Sequence, residues 1–239
     1  MKKKCFLSNN MLKVIAAISM LVDHIGYIFF PRIAIFRIIG RLAFPIFAYM
    51  IAEGCRHTRH RWRYLLTMLS IGIVCQVVYF MFIPRVYMNI LITFSVSVVL
   101  IYSLQYAKSQ FVQNGYVFRK ILSCIVFVVL VVITYIAMYY IRFDYGFLGA
   151  MLPVFVSAFH SVGETKFVLD SKIVHILSFS IGLVLMCLFS DIAYMYYSLL
   201  SIPLLVLYSG SRGKLRMKYF FYLFYPLHLA LLYGIAMLI

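Results

Sequence analysis

Residues 12–31 read LKVIAAISMLVDHIGYIFFP. The run is apolar and long enough to cross a bilayer, which needs about 20 residues. Yet it carries Asp23 and His24 side by side. A carboxylate near the middle of a spanning helix costs about 2.5–3.5 kcal/mol even on the mild insertion scale. Asp23 is therefore expected to face the protein interior and to have a partner. Finding the partners of Asp23 and His24 is the route from this sequence to a function.

Similar apolar runs recur along all 239 residues, of which 65% are hydrophobic and only 12% charged, at a mean hydropathy of +1.01. Soluble domains carry about 25% charged residues. No stretch between apolar runs exceeds about 15 residues, within ordinary loop lengths, so no appended soluble domain is expected. The fold class read from this pattern is an all-α, polytopic transmembrane bundle forming a single integral-membrane domain, 1–239. Nine spans fit, roughly 11–30, 33–54, 64–84, 88–106, 121–140, 145–160, 173–189, 191–208 and 218–238. An eight-span count is the alternative, because only Ser190 and Asp191 separate the seventh and eighth runs.

The net charge of +16 does not point to nucleic acid, because the basic residues sit in short blocks between apolar runs. Lys2, Lys3, Lys4 and Lys13 open the chain, and Arg56, Arg59, Arg61 and Arg63 follow the second run. Lys108, Arg119 and Lys120, then Lys166 and Lys172, and finally Arg212, Lys214, Arg216 and Lys218 fall on the same side. The opposite turns hold only Arg32, Arg85 and Arg142. The positive-inside rule then places the N-terminus in the cytoplasm, in an inner (cytoplasmic) membrane, with anionic lipid headgroups as partners. The N-terminal run is read as a retained span, since it ends in FFPR without a small-residue cleavage site. The cysteines Cys5, Cys55, Cys75, Cys124 and Cys187 form no CxxC pair and read as packing residues, with no metal site.

In the nine-span reading, Asp23 lies roughly 10–12 Å from the outer end of span one, and Arg41 roughly 12 Å into span two. An Asp23–Arg41 ion pair is the simplest way to make both tolerable. Arg37 lies one turn above Arg41, and either binds an anionic ligand or snorkels to the outer headgroups. Ala16, Ser19, Asp23 and Gly26 form a small and polar stripe that lets another backbone approach. His24 points about 100° away from Asp23, so the two look toward different neighbours. His228 is a candidate neighbour, roughly 15 Å into the last span, with Tyr222 and Tyr225 on the same face and Pro226 beside them. Asp144 falls at the outer mouth, where it is either solvated or paired with Arg142 or the arginines of span two. Glu53 lies at the inner end of span two, where an ion pair with Arg56 or Arg59 accounts for it. The loop with Arg56, Arg59 and Trp62 serves as a topology signal or binds a nucleotide cofactor. No Gly-rich phosphate loop, HExxH or GxSxG is present, which leaves hydrolase and NTPase readings without support.

Three blocks carry a resemblance: LKVIAAISMLVDHIGYIFFP with FRIIGRLAFPIFAYMIAEGCRHTR, NILITFSVSVVLIYSLQ with FDYGFLGAML, and LLSIPLLVLYSGSRGKLRMKYFFYLFYPLHLALLY. With these the chain resembles the TraX family of conjugal-transfer membrane proteins, whose founding member is associated with N-terminal acetylation of the pilin subunit. The pattern is also similar to integral-membrane acyltransferases that place a histidine in an early helix, an analogy only. The resemblance implies an acetyltransferase or acyltransferase, with acetyl-CoA as cytoplasmic donor and an amine or hydroxyl acceptor at the outer face. In that reading His24 is the general base, Arg41 stabilises the oxyanion with Asp23 fixing it, and His228 assists. Arg37, Asp144 and Tyr225 contact the acceptor; Arg56, Arg59 and Glu53 serve the donor. The competing expectations are a small-solute or proton-coupled transporter, disfavoured by the lack of an internal repeat or broken-helix pair, and a non-catalytic assembly factor.

Overall fold

A computed structural model describes residues 7–82, 87–113, 116–162, 168–211, 213 and 218–238, without the side chains at 82, 218, 219, 221 and 222. Lys2, Lys3, Lys4, Cys5, Arg85, Lys166, Arg212, Lys214 and Arg216, and the side chains of Lys218 and Tyr222, lie outside that description. The protein is all-α. Its helices are α1 (Asn9–Phe29), α2 (Ala34–Gly40), α3 (Ala43–His57), α4 (Arg61–Phe82), α5 (Ile90–Val112), α6 (Val117–Tyr140), α7 (Gly146–Ser157), α8 (Lys172–Phe189), α9 (Ser201–Val206) and α10 (Lys218–Ala236), with a 3-10 helix at Met195–Leu200. Among the described residues, six segments are long and apolar enough to cross a membrane: Asn9–Phe29, Ala34–His57, Arg61–Met81, Ile90–Val112, Val117–Tyr140 and Lys172–Phe189.

The helices differ from the expected spans in two ways. First, the second span is broken: α2 ends at Gly40 and α3 begins at Ala43. Pro45 has no N–H to offer the carbonyl four residues back, and its ring crowds that carbonyl, which belongs to Arg41. Second, the expected spans 145–160 and 191–208 contain shorter helices. Tyr145 (φ 60) and Gly146 (φ 57) turn the chain through the left-handed region and set the start of α7, which ends at Ser157 after 12 residues. Tyr194 (φ 62) does the same before Met195. A 12-residue α-helix is about 18 Å long, short of a hydrocarbon core.

The chain divides into two compact units. The first comprises Met1–Met50, Val74–Arg85 and Leu183–Ile239. In it α1 packs against α2 and α10. Ser8 caps the N-terminus of α1 by accepting from the Met11 N–H. Leu7 is tied to the end of α9, its N–H donating to the Leu207 carbonyl at 3.2 Å and its carbonyl accepting from Ser209 at 2.8 Å. The small stripe of α1 does what its composition predicts: Ala16 and Ser19 are buried, and a Cβ at Gly26 would collide with Phe36 of α2.

The second unit comprises Ile51–Ile73 and Val86–Gly182. Its organiser is α5, which packs on α6 and α7. A two-residue parallel ladder, β1 (Tyr87–Met88) with β2 (Arg142–Phe143), brings the start of α5 beside the start of α7. Asn89 accepts from the Leu91 N–H at 3.0 Å as the N-cap of α5, and donates to the Gly72 carbonyl at 2.8 Å. Loss of such a cap costs about 1 kcal/mol and a buried carbonyl left without its donor about 1–3 more. Asn89→Ala is therefore expected to destabilise the folded chain by roughly 2–4 kcal/mol, read as a lowered unfolding midpoint in detergent. Ser97 donates to the Ala150 carbonyl at 2.7 Å. Lys108 closes the far end of α7 by donating to the Ala158 and His160 carbonyls at 2.9 and 2.5 Å, where a cation suits the negative end of a helix.

Candidate functional site

Asp23 and His24 face different neighbours, as their 100° separation requires. Asp23 looks toward α2. Arg37 Nη1 donates to Asp23 Oδ2 at 2.7 Å and lies 3.4 Å from the Asp23 backbone carbonyl. Arg41 Nη2 stands 3.8 Å from Oδ1. The ion pair expected between Asp23 and Arg41 is thus led by Arg37. Arg37 lies within the regular part of α2, which packs directly on α1, whereas Arg41 sits at the helix break. The two arginines also differ in surroundings: the Arg37 side chain is 25% exposed and that of Arg41 only 4%. Gly40 is required by the close approach, since a Cβ there would collide with the Asp23 carboxylate.

His24 looks toward α10. Its Nδ1 is 2.8 Å from His228 Nε2, and the two rings lie within 17° of parallel with centroids 5.0 Å apart. His228 Nδ1 is 2.7 Å from the Phe224 carbonyl one turn back. That carbonyl can only accept, so in the neutral ring Nδ1 of His228 carries the proton and Nε2 is the acceptor. It follows that His24 donates from Nδ1 and has a bare lone pair on Nε2. These tautomers are assigned from the network. Phe224 stacks on His228 at 4.9 Å, and the buried Tyr225 presents its ring nearly perpendicular at 5.5 Å. Among the described residues nothing hydrogen-bonds His24 Nε2, and the residue is only half-buried. The arrangement is an oriented imidazole with one lone pair that no described residue occupies.

A second cluster lies in the other unit, and only part of it was foreseen. Glu53 is buried, and histidines rather than Arg56 or Arg59 stand beside it: His57 Nε2 at 3.5 Å and His160 Nε2 at 3.7 Å. His57 lies one helical turn on from Glu53, and His160 arrives from the end of α7, so imidazoles cover the carboxylate. Arg56 instead meets Asp170 at 3.1 Å. Asp170 also accepts from the Ser161 N–H at 2.9 Å and has His175 Nε2 3.1 Å away. His160 and His175 pack edge to face at 4.5 Å. Asp170, His160 and His175 were missed because each meets its partners only across long sequence separations. The one local signal was a carboxylate five residues before a histidine at a helix start.

Burial acts to raise the Asp170 carboxyl, but the Ser161 hydrogen bonds and the charges of Arg56 and His175 outweigh it and hold it below the ordinary aspartate range. A carboxyl lowered in the folded state stabilises it fully above its unfolded value, near 4, and loses that contribution as pH falls through the folded value. Cleavage by an acid-active protease between α7 and α8 is thus expected to rise below about pH 4. Asp170→Asn is expected to show the same susceptibility at neutral pH.

Of the remaining expected site residues, Asp144 belongs to the second unit. It accepts from the Tyr87 hydroxyl at 2.8 Å, and its backbone is tied by Met88 and Thr93. It is therefore anchored rather than solvated. Arg59 and Trp62 are exposed, and Arg61 lies over the Tyr102 ring at 5.4 Å. For the phosphates of a nucleotide donor, the exposed Arg59 has the right charge, while Arg56 is engaged by Asp170. Glu53, a buried carboxylate, does not suit them.

Fold and site together define a class: an all-α integral-membrane protein with an Asp–Arg pair between its first two helices and an oriented histidine pair between its first and last. The chain belongs to the TraX family, described as TraX protein, which matches residues 8–236. It is 29% identical over 107 residues, 45% of the chain and 42% of the relative, to an uncharacterized protein of Rickettsia prowazekii (strain Madrid E). It is 36% identical over 72 residues, 28% of the chain and 30% of the relative, to the "Probable fimbrial assembly protein FimC" of Dichelobacter nodosus. The chain thus spans less than half the length of each of these curated relatives. No solved structure matches it.

Proposed function

We propose that this protein is an integral-membrane acyltransferase that moves an acetyl group from acetyl-CoA, on the cytoplasmic side of the inner membrane, to an amine or hydroxyl at the outer face. The observation that carries the reading is the relay from the Phe224 carbonyl through His228 to His24, which leaves the His24 Nε2 lone pair unprotonated and without a hydrogen bond among the described residues. The donor supplies an activated thioester carbonyl. His24 Nε2 takes the proton of the acceptor N–H or O–H as the new C–N or C–O bond forms. It then returns that proton to the departing sulfur as the C–S bond breaks, so the step balances without another reactant. His228 is a positioning residue that holds the His24 tautomer. The buried Arg41 guanidinium, 3.8 Å from Asp23, offers positive charge to the oxygen that becomes negative. The exposed Arg59 and its neighbours serve the donor phosphates. A pilin-like N-terminal amine is the acceptor that family membership and the fimbrial assembly relative suggest.

A solute or proton-coupled carrier is the second reading, favoured by the break between α2 and α3, since discontinuous helices line many carrier sites. One experiment separates the two. Purified protein in proteoliposomes is given labelled acetyl-CoA outside and an amine-bearing peptide inside, and both acetylated peptide and donor-independent peptide flux are measured. Acetylated product that requires acetyl-CoA supports the transferase; flux without acetylation supports the carrier.

A further inference from the structure

We propose that Arg37 and His24 together select an acceptor that carries an anionic group, a carboxylate or a phosphate, beside the amine or hydroxyl it offers. The inference rests on the acyl-acceptor reading of the His24 site and names its substrate class. Arg37 commits only Nη1 to Asp23. A guanidinium has five N–H donors in a planar fork suited to two oxygens of one anion. Among the described residues nothing hydrogen-bonds the Arg37 Nε and Nη2 donors, and the side chain is a quarter exposed. The fork is also oriented: Asp23 holds one arm, and the Tyr27 ring lies 5.4 Å from the guanidinium carbon.

Arg37 is next to the open base. The backbone oxygen 3.4 Å from Nη1 belongs to the peptide bond joining Asp23 to His24. An acceptor whose anion sits on the spare arm of the fork therefore has its nucleophile held beside the turn of α1 that carries His24. A lipid headgroup phosphate offers the same chemistry to an arginine that snorkels. The acceptor is favoured as the source because Asp23 holds Arg37 against α1, beside the base.

The test uses the full chain in dodecyl maltoside, which carries no phosphate, with probes matched except for charge: O-phosphoethanolamine against ethanolamine, and β-alanine against β-alaninamide. Binding is read by titrating the shift in thermal unfolding midpoint. The anionic member of each pair is expected to bind about tenfold to a hundredfold more tightly, as charged hydrogen bonds imply. Arg37→Gln removes the preference. Arg37→Lys, which keeps the charge beside Asp23, retains only part of it and guards against a variant that fails to fold. Equal binding of both members by the wild type, or an undiminished preference in a folded Arg37→Gln chain, overturns the inference. The titration is repeated in phosphatidylcholine–phosphatidylglycerol nanodiscs. A preference that survives supports the acceptor as the anion's source, and one that vanishes assigns the fork to headgroups and overturns the proposal. None of these outcomes depends on acyl transfer, so failure of the transferase reading would appear separately, as absence of product from acetyl-CoA with any acceptor.

Discussion

The proposed acyl transfer is expected to fall by about 10²–10⁴-fold in His24→Ala, the range for loss of a general base, while the variant inserts and folds like the wild type. His24 is half-buried and, among the described residues, makes one side-chain hydrogen bond, to His228. An interhelical bond of this kind contributes about 0.6–2 kcal/mol in membranes, too little for its loss to unfold the chain. His228→Ala gives a smaller loss of rate, because the base remains but its tautomer is no longer held. His228→Gln separates the two effects further. A glutamine retains an acceptor for His24 Nδ1–H and recovers part of the activity lost in the alanine variant, which a purely packing role for His228 would not produce. The measurements are initial rates of acetylation by mass spectrometry alongside the unfolding midpoint of each variant.

The second large effect concerns Asp23. Asp23→Ala leaves Arg37 and Arg41 at membrane depth without the carboxylate that both approach at 2.7 and 3.8 Å. Breaking a buried ion pair by removing one partner costs about 3–5 kcal/mol. The partial exposure of Asp23 and Arg37 places the expected loss at the lower end of that range. Folded protein recovered from membranes drops accordingly. Replacing both Asp23 and Arg41 by apolar residues of similar size behaves differently. The fully buried cation goes with the carboxylate, and Arg37, a quarter exposed, can reach water or headgroups. That double variant is expected to fold at near wild-type yield and to have lost transfer. A pure assembly scaffold would tolerate it, so retained function in a pilus or secretion assay combined with normal folding would favour the scaffold.

The parts of this molecule readable from its sequence are those where burial cost forces a conclusion. Asp23 inside an apolar run demanded a cation, and Arg41 lay at matching depth with Arg37 one turn above it. Their order of closeness was not readable, because it depends on how α2 seats Gly40 against Asp23. His24 and His228 were matched by depth and residue type, and the 2.8 Å contact bears this out. The break at Arg41 had its cause in view at Pro45, but hydropathy runs smoothly across it. The short helices after Tyr145 and Tyr194 depend on two left-handed residues that are not glycine, which composition does not mark. The cluster of Glu53, His160, Asp170 and His175 was largely hidden. Its members come from α3, α8 and the segment joining α7 to α8, and no local spacing signals that they converge.

The central claim is that His24 presents a bare Nε2 because His228, held by the Phe224 carbonyl, receives its Nδ1 proton. Nitrogen-15 NMR of the full chain in lipid, labelled at histidine and assigned with His24→Gln and His228→Gln, measures this directly. The account predicts a neutral His24 ring protonated at Nδ1 and unprotonated at Nε2, with Nδ1 hydrogen-bonded to Nε2 of His228. A His24 ring protonated at Nε2, or one whose signals do not respond to His228→Ala, would contradict it.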